Sequence, residues 1–97
     1  MTTVTVVQLV TIVEGLDSRM VDRMMDECAD LVTLAGDILD WSVGATISDG
    51  VVEFSLTIDV DDVPAGEARA NEFVESVLAS VMMVGRTRSR AGELVDS

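Results

Sequence analysis

Residues 39–60 read LDWSVGATISDGVVEFSLTIDV, two alternating runs on either side of Asp49-Gly50. Asp-Gly between such runs signals a two-residue hairpin turn in which both residues take positive φ. That turn sets the pairing. Ile47 faces Val52, Ala45 faces Phe54, Val43 faces Leu56, Trp41 faces Ile58 and Leu39 faces Val60. All five pairs are apolar and share one side. The other side pairs Thr46 with Glu53, Gly44 with Ser55, Ser42 with Thr57 and Asp40 with Asp59. A slip of one residue would mix the two sets, because side chains alternate with a period of two.

Upstream, residues 3–15 read TVTVVQLVTIVEG. Val4, Val6, Val10 and Ile12 fall on one parity; Val7, Leu9 and Val13 fall on the other. A strand with one wet face should be polar on that side, and this one is not. Between the strands, residues 17–35 carry apolar residues at helical spacing. Met20, Met24, Cys28, Leu31 and Ala35 form one row, and Val21, Met25 and Val32 the next, with charged residues opposite. Asp17 or Ser18 caps the start, and Gly36 sits where a C′ glycine belongs. A second helix runs from about Pro64 to Val84, with a stripe of Ala70, Phe73, Val74, Val77, Leu78, Val81 and Met82. Asp62 caps it, Pro64 suits the first turn, and Gly85 ends it. Met83, with Ala79, falls on its outer side.

The order is strand, helix, strand, strand, helix. It resembles the ferredoxin-like split βαβ arrangement, an α+β two-layer sandwich with both helices on one face of an antiparallel sheet. The resemblance covers residues 3–85, rests on element order, and implies no function. Beyond it lies a tail of different character. Residues 1–85 carry 16 acids against three Arg, whereas residues 86–97 carry three Arg against two acids. Arg86, Arg88 and Arg90 alternate with the period of a strand, so the tail either adds a weak strand beside the first or is disordered.

In this arrangement the first strand is central. One of its faces lies under the helices, and the other looks out from the open side of the sheet. There Val7, Leu9 and Val13 stand beside Ser42, Gly44, Thr46, Ser55 and Thr57, a flat surface with an apolar stripe. Sheet faces pack well on sheet faces. The expectation is a homodimer joined through the open faces. The alternative is a bulge near Gln8 that turns Leu9 and Val13 inward and leaves little exposed.

Ninety-seven residues make one domain with one core. The formal net charge is −12, from 18 acids and six Arg; Lys, His and Tyr are absent. Such a balance opposes attachment to nucleic acid or to an anionic membrane and would draw a basic protein partner. A lone cysteine, Cys28, makes no intramolecular disulfide and fits a reducing, cytoplasmic compartment. The N-terminus lacks the basic n-region of a signal peptide.

Candidate chemistry is sparse. As a nucleophile Cys28 would need a neighbouring base, and the chain has no His or Lys; on the apolar row it reads as a core thiol. Asp59, Asp61 and Asp62, with Asp40 opposite Asp59, offer oxygen to a hard cation. The spacing matches no metal loop, so they read as a solvated strand end and a helix cap, or as a corner that Arg from a tail neutralises. The basic run around Arg86, Arg88 and Arg90 lacks the interleaved aromatics of a stacking surface. No GxGxxG, P-loop, HExxH or GxSxG pattern occurs. The sequence thus points to a non-catalytic module that associates with itself, with no catalytic residue, metal or cofactor. An acidic inhibitor or antitoxin-like protein that binds a basic, nucleic-acid-binding protein is the second reading. A small-molecule site between sheet and helices is the third.

Overall fold

The computed structural model of the chain describes residues 2–13, 15–83 and 85–95, with the backbone alone at residue 2 and residues 89–95. The elements are β1 (Thr2–Ile12), α1 (Ser18–Leu34), β2 (Ile38–Thr46), a short 3₁₀ turn (Ile47–Asp49), β3 (Val51–Asp59), α2 (Val63–Ser80) and β4 (Gly85–Val95). The four strands form one antiparallel sheet in the order β2-β3-β1-β4, the ferredoxin-like order. The Arg-containing segment supplies β4 through Val95, and residues 96–97 lie outside the described residues.

β1 pairs without interruption on both sides, with β3 from Thr3 to Thr11 and with β4 from Thr2 to Ile12. There is no bulge at Gln8. Val4, Val6 and Val10 are fully buried, Ile12 nearly so, and Gln8 lies in the same inward row at 1% exposure. Val52, Phe54, Leu56 and Ile58 of β3 extend this layer, and Phe73, Val74, Val77 and Leu78 of α2 close over it. α2 comes close to β1 at Gly66, where any Cβ would stand 2.7 Å from Val4 Cγ1. α1 contributes less: Met24 and Cys28 are its buried residues. The helix caps at Asp17 and Asp62 form as their chemistry requires. Asp17 Oδ1 accepts from Met20 N–H at 2.9 Å, and Asp62 Oδ1 accepts from Ala65 N–H at 2.8 Å.

The hairpin keeps its two faces but not its expected register. Ala45 pairs with Val52, Val43 with Phe54 and Trp41 with Leu56, so from Asp40 to Thr46 each partner is displaced by two residues. A shift of two preserves parity, which is why the apolar and polar sets stay separate. The cause is the turn. Ile47–Asp49 make a 3₁₀ turn, and Gly50 alone takes the left-handed conformation, at φ 67°. Only a glycine then occupies that region, and Asp49 is spared its cost. Gly50 C=O also accepts from Ile12 N–H at 2.8 Å, which ties the turn to the end of β1. As a consequence Ile47 is 47% exposed in the turn rather than paired in the core.

A second irregularity lies between Ile38 and Asp40. The bulge swings Leu39 outward to 50% exposure and puts Ile38 in the core. The register set at the turn already places Asp40 opposite Thr57, while Asp59 pairs with Thr3 of β1. The expected Asp40–Asp59 pairing does not form. Trp41 and Val43 do face the helices but stay half-buried, since β2 is an edge strand.

Both helices end differently from expectation. α1 stops at an extended Ala35, and Gly36 is not left-handed. α2 ends at Ser80, five residues before Gly85, and Gly85 instead begins β4. The stop is a Schellman-type motif: Met83 N–H donates to Leu78 C=O at 2.9 Å and Met82 N–H to Ala79 C=O at 3.1 Å. Its left-handed residue is Met82, at φ 57°, and that side chain is 87% exposed rather than part of the stripe. Met83 folds back against the core instead of standing on the outer side. A non-glycine in this conformation costs about 1 kcal/mol, and the Met82 side chain has little burial to offset it. Met82→Gly should therefore raise the stability by up to about 1 kcal/mol, or about 4–8 °C in Tm for a domain of this size, measured by thermal unfolding under circular dichroism.

Candidate functional site

β1 and its two neighbours set the open face in rows that run across the strands. Thr46, Val51, Thr11 and Arg86 make one row from β2 to β4; Gly44, Glu53, Leu9 and Arg88 make the next. Ser42, Ser55, Val7 and Arg90 follow, and then Asp40, Thr57, Thr5 and Gly92. Of the residues expected on this surface, Val7, Leu9, Ser42, Gly44, Thr46, Ser55 and Thr57 share it. Val13 does not: β1 ends at Ile12, and Val13 lies past it in a bend, 67% exposed. Val7, Leu9, Val51, Ser55 and Thr57 are half-buried, flanked by their neighbours' side chains, while Ser42, Gly44 and Thr46 are exposed. Thr5 Oγ1 and Thr57 Oγ1 lie 3.4 Å apart on the same face.

The charged groups are separated on this face. Arg86 and Arg88 stand exposed on the β4 side, and Arg90 continues their register on the backbone. Glu53, also exposed, stands on β3 in the row of Arg88, with Leu9 between them. Two shallow recesses flank the ridge of Leu9 and Val51. One, of about 410 Å³, is lined by both of these with Thr11, Arg86 and Arg88. The other, of about 320 Å³, has Gly44, Thr46, Asp49 and Glu53 on its walls. Asp40 and Asp59 lie toward the other end of the strands, exposed. At about 3.3 Å per residue, the rows of Arg88 and Asp40 are about 13 Å apart, so Arg88 and Arg86 of the same chain do not serve that corner. Among the described residues no three His, Cys, Asp or Glu side chains converge to hold a metal ion.

The helical side holds the remaining chemistry. The Cys28 thiol is fully buried, and burial first, then the neighbouring Glu27 charge, pushes its pKa up to about 12. The space between sheet and helices is filled by Met24, Phe54, Phe73 and Leu56, each at most 2% exposed. A groove of about 290 Å³ lies outside that layer, between the end of α1 and α2, where Leu31, Leu34 and Phe73 meet Arg69 and Glu72. Arg69 is engaged there: its Nε donates to Asp37 Oδ2 at 2.7 Å and its Nη2 to Oδ1 at 3.3 Å. This bidentate pair holds the Asp37 carboxyl below the usual carboxylate range. Sequence reasoning missed it, because the partners are 32 residues apart and neither has an informative local context. It placed Glu53 on the outer face of the hairpin, opposite Thr46, but did not count it among the residues of the self-association surface.

No known protein family matches the sequence, and no curated protein is similar to it. Solved structures do share the fold. A hydroxynitrile lyase from Passiflora edulis superposes with a TM-score of 0.61 at 13% identity, covering 98% of this chain and 95% of that one. A conserved protein from Methanosarcina mazei Go1 superposes with a TM-score of 0.52 at 12% identity, covering 93% and 90% of the two chains. At such identities the likeness shows the fold alone.

Two measurements check this side of the molecule. Native protein at pH 8 should leave Cys28 unmodified by a thiol reagent, with full reaction once denaturant unfolds the chain; rapid modification of folded protein would contradict the burial. The second concerns Asp37. Because pairing lowers its pKa in the folded state, the stabilisation is complete above the ordinary carboxylate range and vanishes as pH falls through the folded value. Asp37→Asn should be less stable than the parent at pH 7, by at most about 1 kcal/mol for so exposed a pair. The gap should close as pH falls below the folded value, where the carboxyl is neutral in both folded and unfolded chains.

Proposed function

We propose that the protein is a small, acidic, non-catalytic module that associates with a second copy of itself through the open face of its sheet. The observation that carries this reading is the side of β1 opposite the helices, where Val7 and Leu9, with Val51 alongside, make an apolar ridge on a face of small residues. Full burial of each such side chain is worth roughly 1.5–3 kcal/mol before association costs. Four strands at about 4.8 Å spacing and about nine residues long give a face of roughly 600 Å² in projection. That is a little under the roughly 800 Å² per partner of a standard interface, the size of a modest dimer.

The chemistry of the chain agrees with a binding role. It has no His, Lys or Tyr, and its one thiol is held neutral in the core. With the open faces joined, the helices point outward on both sides. Asp22, Asp26, Asp30, Glu67, Glu72 and Glu75 are exposed there, and a basic protein, the second partner that the net charge suggests, would meet these helices rather than the sheet.

Leu9 is the residue to change. Leu9→Asp places a charge in the ridge without touching the buried parity of β1. The variant should keep the parent's circular dichroism and sediment as a monomer of 10.4 kDa, while the parent sediments at twice that mass. A monomeric parent, or a dimeric Leu9→Asp, would refute the open-face reading.

A further inference from the structure

The charges on the open face select one way of joining two copies, an inference that rests on the open-face reading above. Two identical sheets packed face to face are related by a two-fold axis lying between them. If that axis crossed the strands at the Leu9 row, β4 would lie on β4, with Arg88 over its own copy and Arg86 over position 90. If it runs along the strands, each row meets the same row of the second copy, reversed in strand order. We infer that the two copies join about an axis parallel to β1, with β1 over β1 and β4 over β3, so that Arg88 of each copy meets Glu53 of the other.

Three observations converge on this arrangement. First, Glu53 and Arg88 belong to one row, on either side of Leu9. Reversal about β1 lays Leu9 on Leu9 and exchanges the positions of Arg88 and Glu53, so opposite charges come together twice. Second, the basic recess beside Arg86 and Arg88 and the acidic recess beside Asp49 and Glu53 lie on opposite sides of the same ridge. The same operation sets one against the other, and Arg86 approaches Asp49 of the second copy. Third, Gly44 ends the row on β2, and the space a Cβ would take there is open. It leaves room for a long guanidinium side chain that reaches past Glu53. Strands of the two sheets then run nearly parallel, within the aligned class of sheet packing. Like charges set against each other disfavour the crossed alternative.

Charge reversal tests the pairing. Arg88→Glu and Glu53→Arg are exposed substitutions, and thermal unfolding checks that both variants fold. Each alone should weaken self-association at least about tenfold, since two like-charge pairs face each other in its dimer. An equimolar mixture of the two variants should associate as tightly as the parent, to within about threefold, because both pairs are then opposite. Sedimentation velocity with one variant fluorescently labelled reads the mixed dimer directly. If Leu9→Asp is monomeric but neither reversal weakens the dimer, the open face stands and this orientation is wrong. If the reversals weaken it and mixing fails to restore it, Arg88 and Glu53 do not meet, and the orientation is again wrong. A parent that is monomeric, or a dimer that survives Leu9→Asp, removes the open-face reading and this inference together.

Discussion

β1 is hydrogen-bonded on both edges, and from that position its side chains have only two directions to take. Pairing with β3 and β4 runs unbroken along the strand. No bulge can therefore turn an apolar side chain from one face to the other. Val4, Val6 and Val10 go under α2, and Val7 and Leu9 go to the opposite side. Both helices occupy one face of the sheet, so among the described residues no layer covers the other face.

The electrostatic layout reinforces it. The chain is strongly acidic as a whole, yet exposed Arg86 and Arg88 stand on β4, at the edge of the uncovered face. Charged residues on an edge strand discourage extension of the sheet by another chain's strand. Here they also give the face a sign that changes across Leu9, from Arg88 to Glu53. In the proposed dimer this puts each sign against the other across an apolar ridge. The acidic helices, by contrast, would repel one another, which favours association through the sheet.

The alternation of Val, Ile, Phe and Leu in β1 and β3 and the 3.6-residue rows of the two helices were legible, because they depend on local chemistry repeated along each element. The Asp17 and Asp62 caps were legible for the same reason. What stayed hidden depended on small backbone choices. Asp49-Gly50 announces a turn, but whether one or two residues become left-handed decides the register by two positions. The same two-position shift separates Asp40 from Asp59, and the Leu39 bulge, which exchanges Leu39 for Ile38 in the core, left no mark in the sequence. Met82 ended α2 in a conformation usually given to glycine, so the expected stop at Gly85 came too late. The open face was legible in composition from Val7, Leu9, Ser55 and Thr57. Its charge pattern was not, because that required the β1–β4 register, which aligns Arg88 with Leu9.

The claim at the centre of this account is that the side of β1 away from the helices is dry in solution. The most direct measurement is relaxation of assigned methyl groups by a soluble paramagnetic agent, recorded at high protein concentration and again on dilution. The Val7 and Leu9 methyls should be protected in the concentrated sample, relax faster on dilution, and stay distinct from Leu34 and Met82, whose side chains are open to solvent throughout. Val7 and Leu9 methyls that the agent reaches equally at both concentrations would contradict it.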